Sequence, residues 1–484
     1  MLEIIFVWSC LFASAGYLWF SAETFRSGFP LDDAWIHQVY ARNLVERFEW
    51  SFIPGIPSGG STSPLWSALL SLGYLLGLSP LIWAWTLGII CFIGTGLLGW
   101  GWVTRLIPKK GFFLWIILAV LAGEWHLIWA AVSGMETCLF MFWVLMVFVL
   151  LMKTSIPWGW IGILVGTAIW IRPDGITLLG PVILIGVIQL VRKNESVKSI
   201  GKMSLGCIGF AGLYLVFNYL THGSWLPNTF FAKQAEYAIL AQSPLLARLI
   251  TQLQQPVIGV GILLFPGFLY CLYTSIRGQK WRILAIIIWI IGYAGLFAFR
   301  LPVVYQHGRY IMPVIPPLLI FGLAGSASIS DKLRDSFWER VLKRGWTSAT
   351  LMVILSFYLL GANAYAQDVA IIESEMVTTA KWVNQNLEKD ALLAAHDIGA
   401  LGYFSNRNLI DLAGLVSPEV IPYLRDEDEL NRYLMLAGVD YLVTFPGWYP
   451  KLVQGKYLVY KTNAIFAPRQ GGENMGIYRW QQDP

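Results

Sequence analysis

The sequence has few charged residues for its length. Asp, Glu, Lys and Arg make up 13% of the 484 residues, and hydrophobic residues make up 56%, whereas about a quarter of a soluble domain is charged. All five cysteines fall in apolar stretches, so they form neither a disulfide framework nor the spacing of a zinc site. The basic residues are dispersed, and no nucleic-acid partner is expected. The scarcity of charge excludes a soluble globular chain and predicts an integral membrane protein.

Several catalytic signatures are missing as well. The sequence contains no P-loop, no G-x-G-x-x-G after a strand and no nucleophile elbow. A nucleotide-sugar donor is therefore unsupported, and neither a cofactor nor a metal site is assigned. A divalent cation beside paired carboxylates stays open as an alternative, because oxygen-ligand sites have no sharp sequence spacing.

Apolar stretches dominate the chain up to residue 366. Windows of about 20 apolar residues, the length that crosses a bilayer, predict eleven membrane spans between residues 3 and 366. Lys and Arg are more frequent in the loops after the even-numbered spans, which favours an N-terminus inside and a C-terminus outside. The N-terminal stretch lacks the basic region and cleavage site of a signal peptide, so we expect a retained first helix.

Two polar regions lie outside the predicted spans. An outer loop covers residues 22–79, and a polar tail covers residues 367–484. The tail combines a helical stretch at 377–387 with strand-like runs such as ALLAAHD, DYLVTF, KYLVY and GIYRW. The predicted fold class is a polytopic α-helical membrane domain, residues 1–366, followed by a small extracytoplasmic α/β domain, residues 367–484.

The first outer loop carries two adjacent carboxylates, Asp32 and Asp33, in GFPLDDAWIHQVYARNL. Apolar residues then recur every four positions from Ile36 to Phe48, which predicts an amphipathic helix lying in the membrane interface. Either carboxylate alone has a structural alternative as a cap of this helix, because Asp is a favoured N-cap. Two carboxylates just outside a first span are unusual packing residues, and they are the leading candidates for chemistry.

Six motifs, in order along the chain, resemble a known family. They are LDDAWIHQVYARNLVE with the later TSPLW, SGMET at 133–137, RPDG at 172–175, LPNTFFAK at 226–233, HGRYIMPVIP at 307–316 and DIGALGYFSNRNLIDLAGL at 397–415. Together they resemble the GT-C glycosyltransferases, polytopic membrane enzymes that use polyprenyl-phosphate sugars. The likeness is greatest to the bacterial group that contains the mycobacterial terminal arabinofuranosyltransferase.

The resemblance implies a catalytic acidic residue in the first outer loop, a role that falls on Asp32 or Asp33 without deciding between them. Such a carboxylate acts as general base toward an acceptor hydroxyl, and a single displacement inverts the anomeric carbon. The lipid phosphate that leaves needs cationic or N–H stabilisation. Candidate phosphate ligands are Lys233, Arg309, Arg172 and His307, and candidate substrate-binding residues are Glu136, His37 and Asn228.

These candidates have structural alternatives. Arg172 and Arg309 lie at predicted span ends, where Arg commonly extends to the interface. Lys233 lies on a long outer loop, where solvent alone accounts for a lysine. Glu136 lies in a short loop, where it is equally suited to begin the next helix.

The resemblance also implies partners and a location. The partners are a polyprenyl-phosphate sugar donor, membrane lipid, and an acceptor hydroxyl on a glycan, a lipid or a protein, at a bacterial cytoplasmic membrane. The competing function is a transporter or flippase, which would place ionisable residues deep within spans and often show repeated halves. The glycosyltransferase hypothesis requires Asp32 or Asp33 to share a cavity with Lys233 or Arg309. Separation of these groups by a closed helix bundle would count against it.

Overall fold

Helices form most of the described chain before residue 387. The computed structural model describes residues 1–107, 111, 113–333 and 337–480. In chain order the elements of this part are α1 (Leu2–Thr24), α2 (Asp33–Glu46), β1 (Ser51–Ile53), β2 (Ile56–Pro57), α3 (Pro64–Leu75), α4 (Pro80–Leu106), α5 (Phe113–Gly123), α6 (Trp125–Val132), α7 (Thr137–Leu151), α8 (Trp158–Ile171), α9 (Leu179–Val191), α10 (Val197–His222), α11 (Asn228–Glu236), α12 (Leu245–Gln254), α13 (Gly261–Arg277), α14 (Trp281–Arg300), α15 (Tyr305–Gly308), α16 (Ile315–Lys332), α17 (Phe337–Ile371) and α18 (Thr378–Asn386).

The apolar helices confirm an integral multi-pass membrane protein. Within the described residues, seven helical segments are long and apolar enough to cross a membrane, or up to nine if each of two bent pairs is one span. The pair α5 and α6 bends by 42°, and the segment containing α12 meets α13 at 107°. Every predicted span falls on an apolar helix, but α7 and α8 have only 15 and 14 residues. The count of eleven spans therefore stays a prediction, as does the side of the membrane on which the C-terminus lies.

Glycines allow the closest helix contacts in the bundle. A methyl group added at Gly162 of α8 would meet the carbonyl of Met203 in α10. In the same way, Gly325 of α16 faces the backbone of Gly267 in α13, and Gly322 beside it faces Leu264. Membrane helices are held together largely by van der Waals packing, so small residues at a crossing let two backbones approach.

A five-stranded sheet forms the core of the C-terminal domain. Its elements are β3 (Leu392–Ala395), α19 (Gly399–Phe404), β4 (Asn408–Asp411), α20 (Glu427–Leu436), β5 (Tyr441–Thr444), α21 (Pro450–Val453), β6 (Tyr457–Lys461), α22 (Phe466–Arg469) and β7 (Gly476–Arg479). The strand order is β4-β3-β5-β7-β6, in which β3 pairs in parallel with β4 and β5, and β7 pairs antiparallel with β5 and β6. The four strand-like runs are confirmed as β3, β5, β6 and β7, while β4 was not predicted.

The boundary between the two domains runs through a continuous helix. The predicted boundary at 366/367 lies inside α17, which continues through a π-helical turn, Ile372–Val377, into α18. The carboxylate of Glu375, in that turn, accepts hydrogen bonds from Asn474 Nδ2 and from the Met475 N–H, both at 2.9 Å. Glu375 is fully buried, so it joins the last span directly to the sheet. Residues 481–484 of the predicted tail lie outside the described residues.

The helix predicted after the acidic pair is confirmed, but its surroundings differ from the prediction. α2 ends at Glu46, and Phe48 lies beyond it with a positive φ of 58° and 90% exposure. Ile36 and Tyr40 are buried as expected, and polar His37 on another face is buried too. The reason is that α2 packs against α3 on one side and α19 on the other. Residues 34–41 of the helix are enclosed between the bundle and the C-terminal domain, and only its end, at Glu46, is exposed.

Candidate active site

The two adjacent carboxylates have different environments. Asp32 is turned toward the C-terminal domain, where its Oδ2 accepts the N–H of Gly399 at 2.6 Å and its Oδ1 accepts the N–H of Ala400 at 2.8 Å. Burial and the nearby charge of Asp397 raise the pKa of Asp32 to about 8, although the two N–H bonds act in the opposite direction. Both oxygens of Asp32 are thus engaged in holding the start of α19.

Asp33 instead faces a group of cations. Its Oδ2 lies 2.5 Å from Arg309 NH2, and a third of its side chain is exposed. Lys233 Nζ donates to the hydroxyl of Tyr310 at 2.9 Å, and Arg309 donates to the same hydroxyl at 3.1 Å. Burial would raise the pKa of Asp33, but the charges of Arg309 and Lys233 outweigh it and hold that pKa well below its usual range. Asp33 is therefore an ionised carboxylate that the protein leaves partly accessible.

A cavity of about 390 Å³ opens beside Asp33, and we refer to it as the cationic cavity. The charged and polar side chains that line it include Asp33, His37, Glu136, Arg172, Asp174, Lys233, Arg300 and Arg309. The remaining wall is mainly apolar and includes Ile36, Met135, Ile176, Leu226, Phe230, Leu296, Phe297 and Leu301. The cavity thus combines an apolar wall with four cationic side chains.

Buried charges form a network along one wall of this cavity. Glu136 lies between His37 and Arg172, with Glu136 Oε2 3.6 Å from His37 Nε2 and Glu136 Oε1 4.0 Å from Arg172 NH1. Arg172 Nε is also 3.1 Å from Asp174 Oδ1. Burial lowers the pKa of His37 despite the carboxylates of Glu136 and Asp33. His37 is therefore a neutral hydrogen-bonding group here, and its Nδ1 contacts Ser67 Oγ at 2.9 Å.

Arg309 has unused hydrogen-bonding capacity. Its side chain is buried, and neither its Nε nor its NH1 has a hydrogen-bond partner among the described residues. Buried donors without a partner are rare in folded proteins. A guanidinium with free donors, next to the ammonium of Lys233, is suited to an anion such as a phosphate.

A second cavity, of about 590 Å³, lies between the helices and the sheet, and we refer to it as the domain chamber. It is lined by Asp32, Asp33, Ile36, Lys233, Glu236, Tyr237, Tyr305, Gln306, Arg309, Tyr310, His396, Asp397, Ile398, Ala413, Leu415, Leu424, Arg425, Trp448 and Tyr449. Both cavities are lined by Asp33, Ile36, Lys233, Arg309, Tyr310 and Leu415. The two spaces therefore meet at the pair of Asp33 and Arg309.

The structure brings together most of the residues that the sequence singles out. Six of them line the cationic cavity, namely Asp33, His37, Glu136, Arg172, Lys233 and Arg309. Asp32 lines only the domain chamber. Asn228 is buried at the start of α11 and lines neither cavity, although its neighbours Pro227 and Thr229 line the cationic one.

His307 lies apart from the other candidates. Its Nε2 is 2.7 Å from Asp368 Oδ2, and its ring meets those of Trp125 and Trp129 edge-on at 5.4 Å and 5.2 Å. It lines neither cavity. The backbone explains the difference, because Gln306 and His307 both have positive φ, which turns the chain between His307 and Arg309. Two residues that are close in the motif HGRY therefore face different surroundings.

Other lining residues had no sequence signal of their own. Tyr310 adjoins Arg309 in that motif, but nothing in the sequence indicates that its hydroxyl joins Lys233 to Arg309. Glu236 becomes part of the chamber only through the fold, which places it 3.3 Å from His396 Nε2. Within the described residues, no group of three or more His, Cys, Asp or Glu side chains has the arrangement of a metal site.

The family described as "Domain of unknown function (DUF8728)" matches residues 363–478. The match covers the end of α17 and nearly all of the C-terminal domain. No curated protein matches the sequence.

Solved structures match the chain over most of its length. ArnT from Cupriavidus metallidurans, solved bound to undecaprenyl phosphate, has a TM-score of 0.62 at 16% identity, over 99% of this chain and 98% of ArnT. The oligosaccharyltransferase of Archaeoglobus fulgidus, solved with zinc and sulfate, has a TM-score of 0.61 at 12% identity, over 92% and 68%. The mycobacterial arabinofuranosyltransferase AftD has a TM-score of 0.49 at 15% identity, over 98% of this chain and 40% of AftD. The chain therefore has the GT-C fold, as its motifs predict.

Proposed function

We propose that this protein transfers a sugar from a polyprenyl-phosphate donor to an acceptor hydroxyl, with Asp33 as the general base. One observation carries the proposal. Asp33 shares a cavity with Lys233 and Arg309, as the glycosyltransferase hypothesis requires. ArnT, which has the same fold over nearly its whole length, was solved with undecaprenyl phosphate bound, which supports a lipid phosphate as the leaving group.

The cationic cavity suits the donor. The phosphate would lie against Arg309 and Lys233, since both line the cavity and the guanidinium of Arg309 has two N–H groups without a partner among the described residues. Arg172 is less available, because Asp174 and Glu136 already flank it. The apolar wall, which includes Leu226, would contact the first prenyl units.

Asp33 would activate an acceptor hydroxyl that attacks the anomeric carbon from the side opposite the phosphate. The acceptor oxygen gives its proton to Asp33 and forms the new C1–O bond while the C1–O bond to phosphate breaks, and the phosphate keeps the bonding electron pair. One displacement of this kind inverts the anomeric configuration. A developing oxocarbenium ion is expected, as in glycoside hydrolysis.

The ion pair of Asp33 with Arg309 would keep Asp33 weakly basic until the donor binds. A carboxylate paired at 2.5 Å with a guanidinium is a weak base. A donor phosphate competes for the same guanidinium, so its binding weakens the pair and raises the basicity of Asp33. The base would then reach full strength only when the donor is in place.

The sequence motifs extend the proposal to the biological setting. The likeness to the arabinofuranosyltransferase group favours a bacterial cell-envelope glycosyltransferase, with a hexose or a pentose as the transferred sugar. The bias of Lys and Arg along the chain favours a site at the outer face of the cytoplasmic membrane.

Sugar transfer in proteoliposomes tests the proposal. Wild type would be supplied with radiolabelled undecaprenyl-phosphate hexoses and pentoses and with an extract of bacterial envelope glycans. It would be compared with Asp33→Asn and with Asp390→Asn, a matched change at an exposed position of the C-terminal domain. We expect transfer from one donor, lowered at least about 100-fold in Asp33→Asn alone. Equal transfer in all three proteins would refute Asp33 as the base, and movement of intact donor across the bilayer would favour the flippase.

A further inference from the structure

We propose that the domain chamber is the acceptor site and that the acceptor is a carbohydrate. This inference rests on the proposed glycosyl transfer and deepens it, because it selects one of the three acceptor classes that the sequence leaves open. It is drawn from the position of the chamber, its unpaired hydrogen-bond acceptors and its aromatic side chains.

The chamber lies between the proposed base and the ends of the parallel strands. The chamber begins at Asp33, so a hydroxyl group bound in it would approach the base from the side opposite the cationic cavity. On the far side it is bounded by residues that directly follow parallel strands: His396 and Asp397 follow β3, and Ala413 lies two residues after β4. The carboxyl ends of parallel strands are where ligands of open α/β sheets bind.

The chamber also contains hydrogen-bond acceptors that the protein leaves unpaired. Asp397 Oδ2 and Gln306 Oε1 are buried and have no hydrogen-bond partner within the part of the chain that the structure describes. Gln306 holds a φ of 55°, which is unfavourable for a side chain of its kind. Glu236, which also lines the chamber, is already paired with His396 and is not one of these unpaired acceptors. A ligand rich in O–H donors, as a sugar is, would satisfy these oxygens.

Aromatic side chains complete the chamber. Trp448 is 49% exposed, and its ring meets that of His396 edge-on at 5.0 Å. Tyr449 has its hydroxyl 2.8 Å from His396 Nδ1, and Tyr237 and Tyr305 contact each other through their hydroxyls. A pyranose or furanose ring has an apolar C–H face and a polar edge. A half-exposed indole next to carboxylates offers one surface for each.

The other two acceptor classes fit the chamber less well. A lipid acceptor would find little apolar wall for its acyl chains, because most of the residues that line the chamber are charged, polar or aromatic. An extended peptide is commonly bound by pairing with an edge strand. The edge strands of this sheet are β4 and β6, whereas the chamber lies at the ends of the strands.

Acceptor kinetics separate this inference from the proposed function. The variants are Asp397→Asn and Trp448→Ala, each with a matched control: Asp390→Asn, and Tyr457→Ala at an aromatic that is 73% exposed. The probes are a panel of octyl disaccharides, a serine- and threonine-containing peptide and diacylglycerol. We expect transfer to a disaccharide, with the KM for that acceptor raised about tenfold to a hundredfold in the two chamber variants. Binding of undecaprenyl phosphate should be unchanged in all four proteins, which also shows that they fold.

Equilibrium binding gives a readout that does not depend on catalysis. Asp33→Asn protein, loaded with undecaprenyl phosphate, would be titrated with the labelled disaccharides, with and without Trp448→Ala. If Trp448→Ala weakens binding of the disaccharides, the result supports the chamber as the acceptor site, even if Asp33 proves not to be the base. Transfer to the peptide or to diacylglycerol, or an unchanged acceptor KM in the chamber variants, would overturn the inference. The proposed function would still stand if Asp33→Asn abolished transfer.

Discussion

The cationic cavity and the domain chamber share one edge and differ in the balance of their linings. The first joins a mainly apolar wall to four cationic side chains, whereas in the second charged, polar and aromatic side chains outnumber aliphatic ones. The helices build most of the first, and the C-terminal domain contributes a large part of the second. In the proposed reaction, a lipid phosphate and a polar acceptor are thus recognised by separate parts of one chain, which meet at Asp33 and Arg309.

The same division separates the two adjacent carboxylates. Asp32 has both oxygens bound to backbone N–H groups of α19, and Asp33 has one oxygen on Arg309 with part of its side chain open. At the start of α2 the two side chains point in different directions, that of Asp32 toward the C-terminal domain and that of Asp33 toward the cationic cavity. Their proposed roles follow from that direction, since the carboxylate of Asp32 is directed at the backbone of α19, whereas that of Asp33 borders both cavities, where an acceptor hydroxyl can reach it.

The largest effect on binding of the donor lipid is expected where the two cavities meet. Arg309→Ala should weaken binding of undecaprenyl phosphate by about 30-fold or more, because loss of one member of a buried charge pair costs about 2–5 kcal/mol. Binding of radiolabelled undecaprenyl phosphate to purified protein measures the effect. Arg432→Ala, at an exposed arginine of the C-terminal domain, is the control. Unchanged affinity in Arg309→Ala would place the phosphate elsewhere and remove the contrast between the cavities.

A smaller effect is expected at the domain side of the pair. Asp32→Asn should lower the stability of the domain contact by about 1 kcal/mol, because an amide can accept only one of the two N–H bonds. Binding of undecaprenyl phosphate should not change. Limited proteolysis between the helices and the domain, followed as a function of temperature, measures the first effect. A loss of phosphate binding in Asp32→Asn would show that the two carboxylates are not separated as described.

The smallest effect is a pH dependence confined to the chamber. Burial lowers the pKa of His396, but the hydrogen bond to Glu236 and the charges of Asp397 and Asp411 outweigh it and raise that pKa. A raised folded pKa means that the ion pair with Glu236 stabilises the protein fully below the unfolded pKa of about 6.5. That contribution is lost as the pH rises through the folded pKa. The midpoint of thermal unfolding should therefore fall from pH 6 to pH 9. Asp32, whose pKa is raised to about 8, ionises over the same range and adds to the decrease, so His396→Gln should remove only the small part that belongs to His396. An equal decrease in the variant would contradict this assignment.

The sequence predicts the residues of the cationic cavity far better than those of the domain chamber. Span positions follow from apolar windows, and the residues of the cationic cavity lie in short motifs such as RPDG and HGRY. The chamber depends on contacts across long stretches of chain, for instance Asp32 with Gly399 and Glu236 with His396. No local pattern encodes such a pairing. The positive φ of His307 is equally invisible, and it separates that residue from Arg309.

The most direct test compares the two neighbours in a single turnover. Asp33→Asn and Asp32→Asn would each be loaded with the active undecaprenyl-phosphate sugar and mixed with acceptor, and transfer would be followed in time. If Asp33 is the base, the rate should be at least about 100-fold lower in Asp33→Asn and within about tenfold of wild type in Asp32→Asn. The reverse order, or equal loss in both, would contradict the assignment of the base to Asp33.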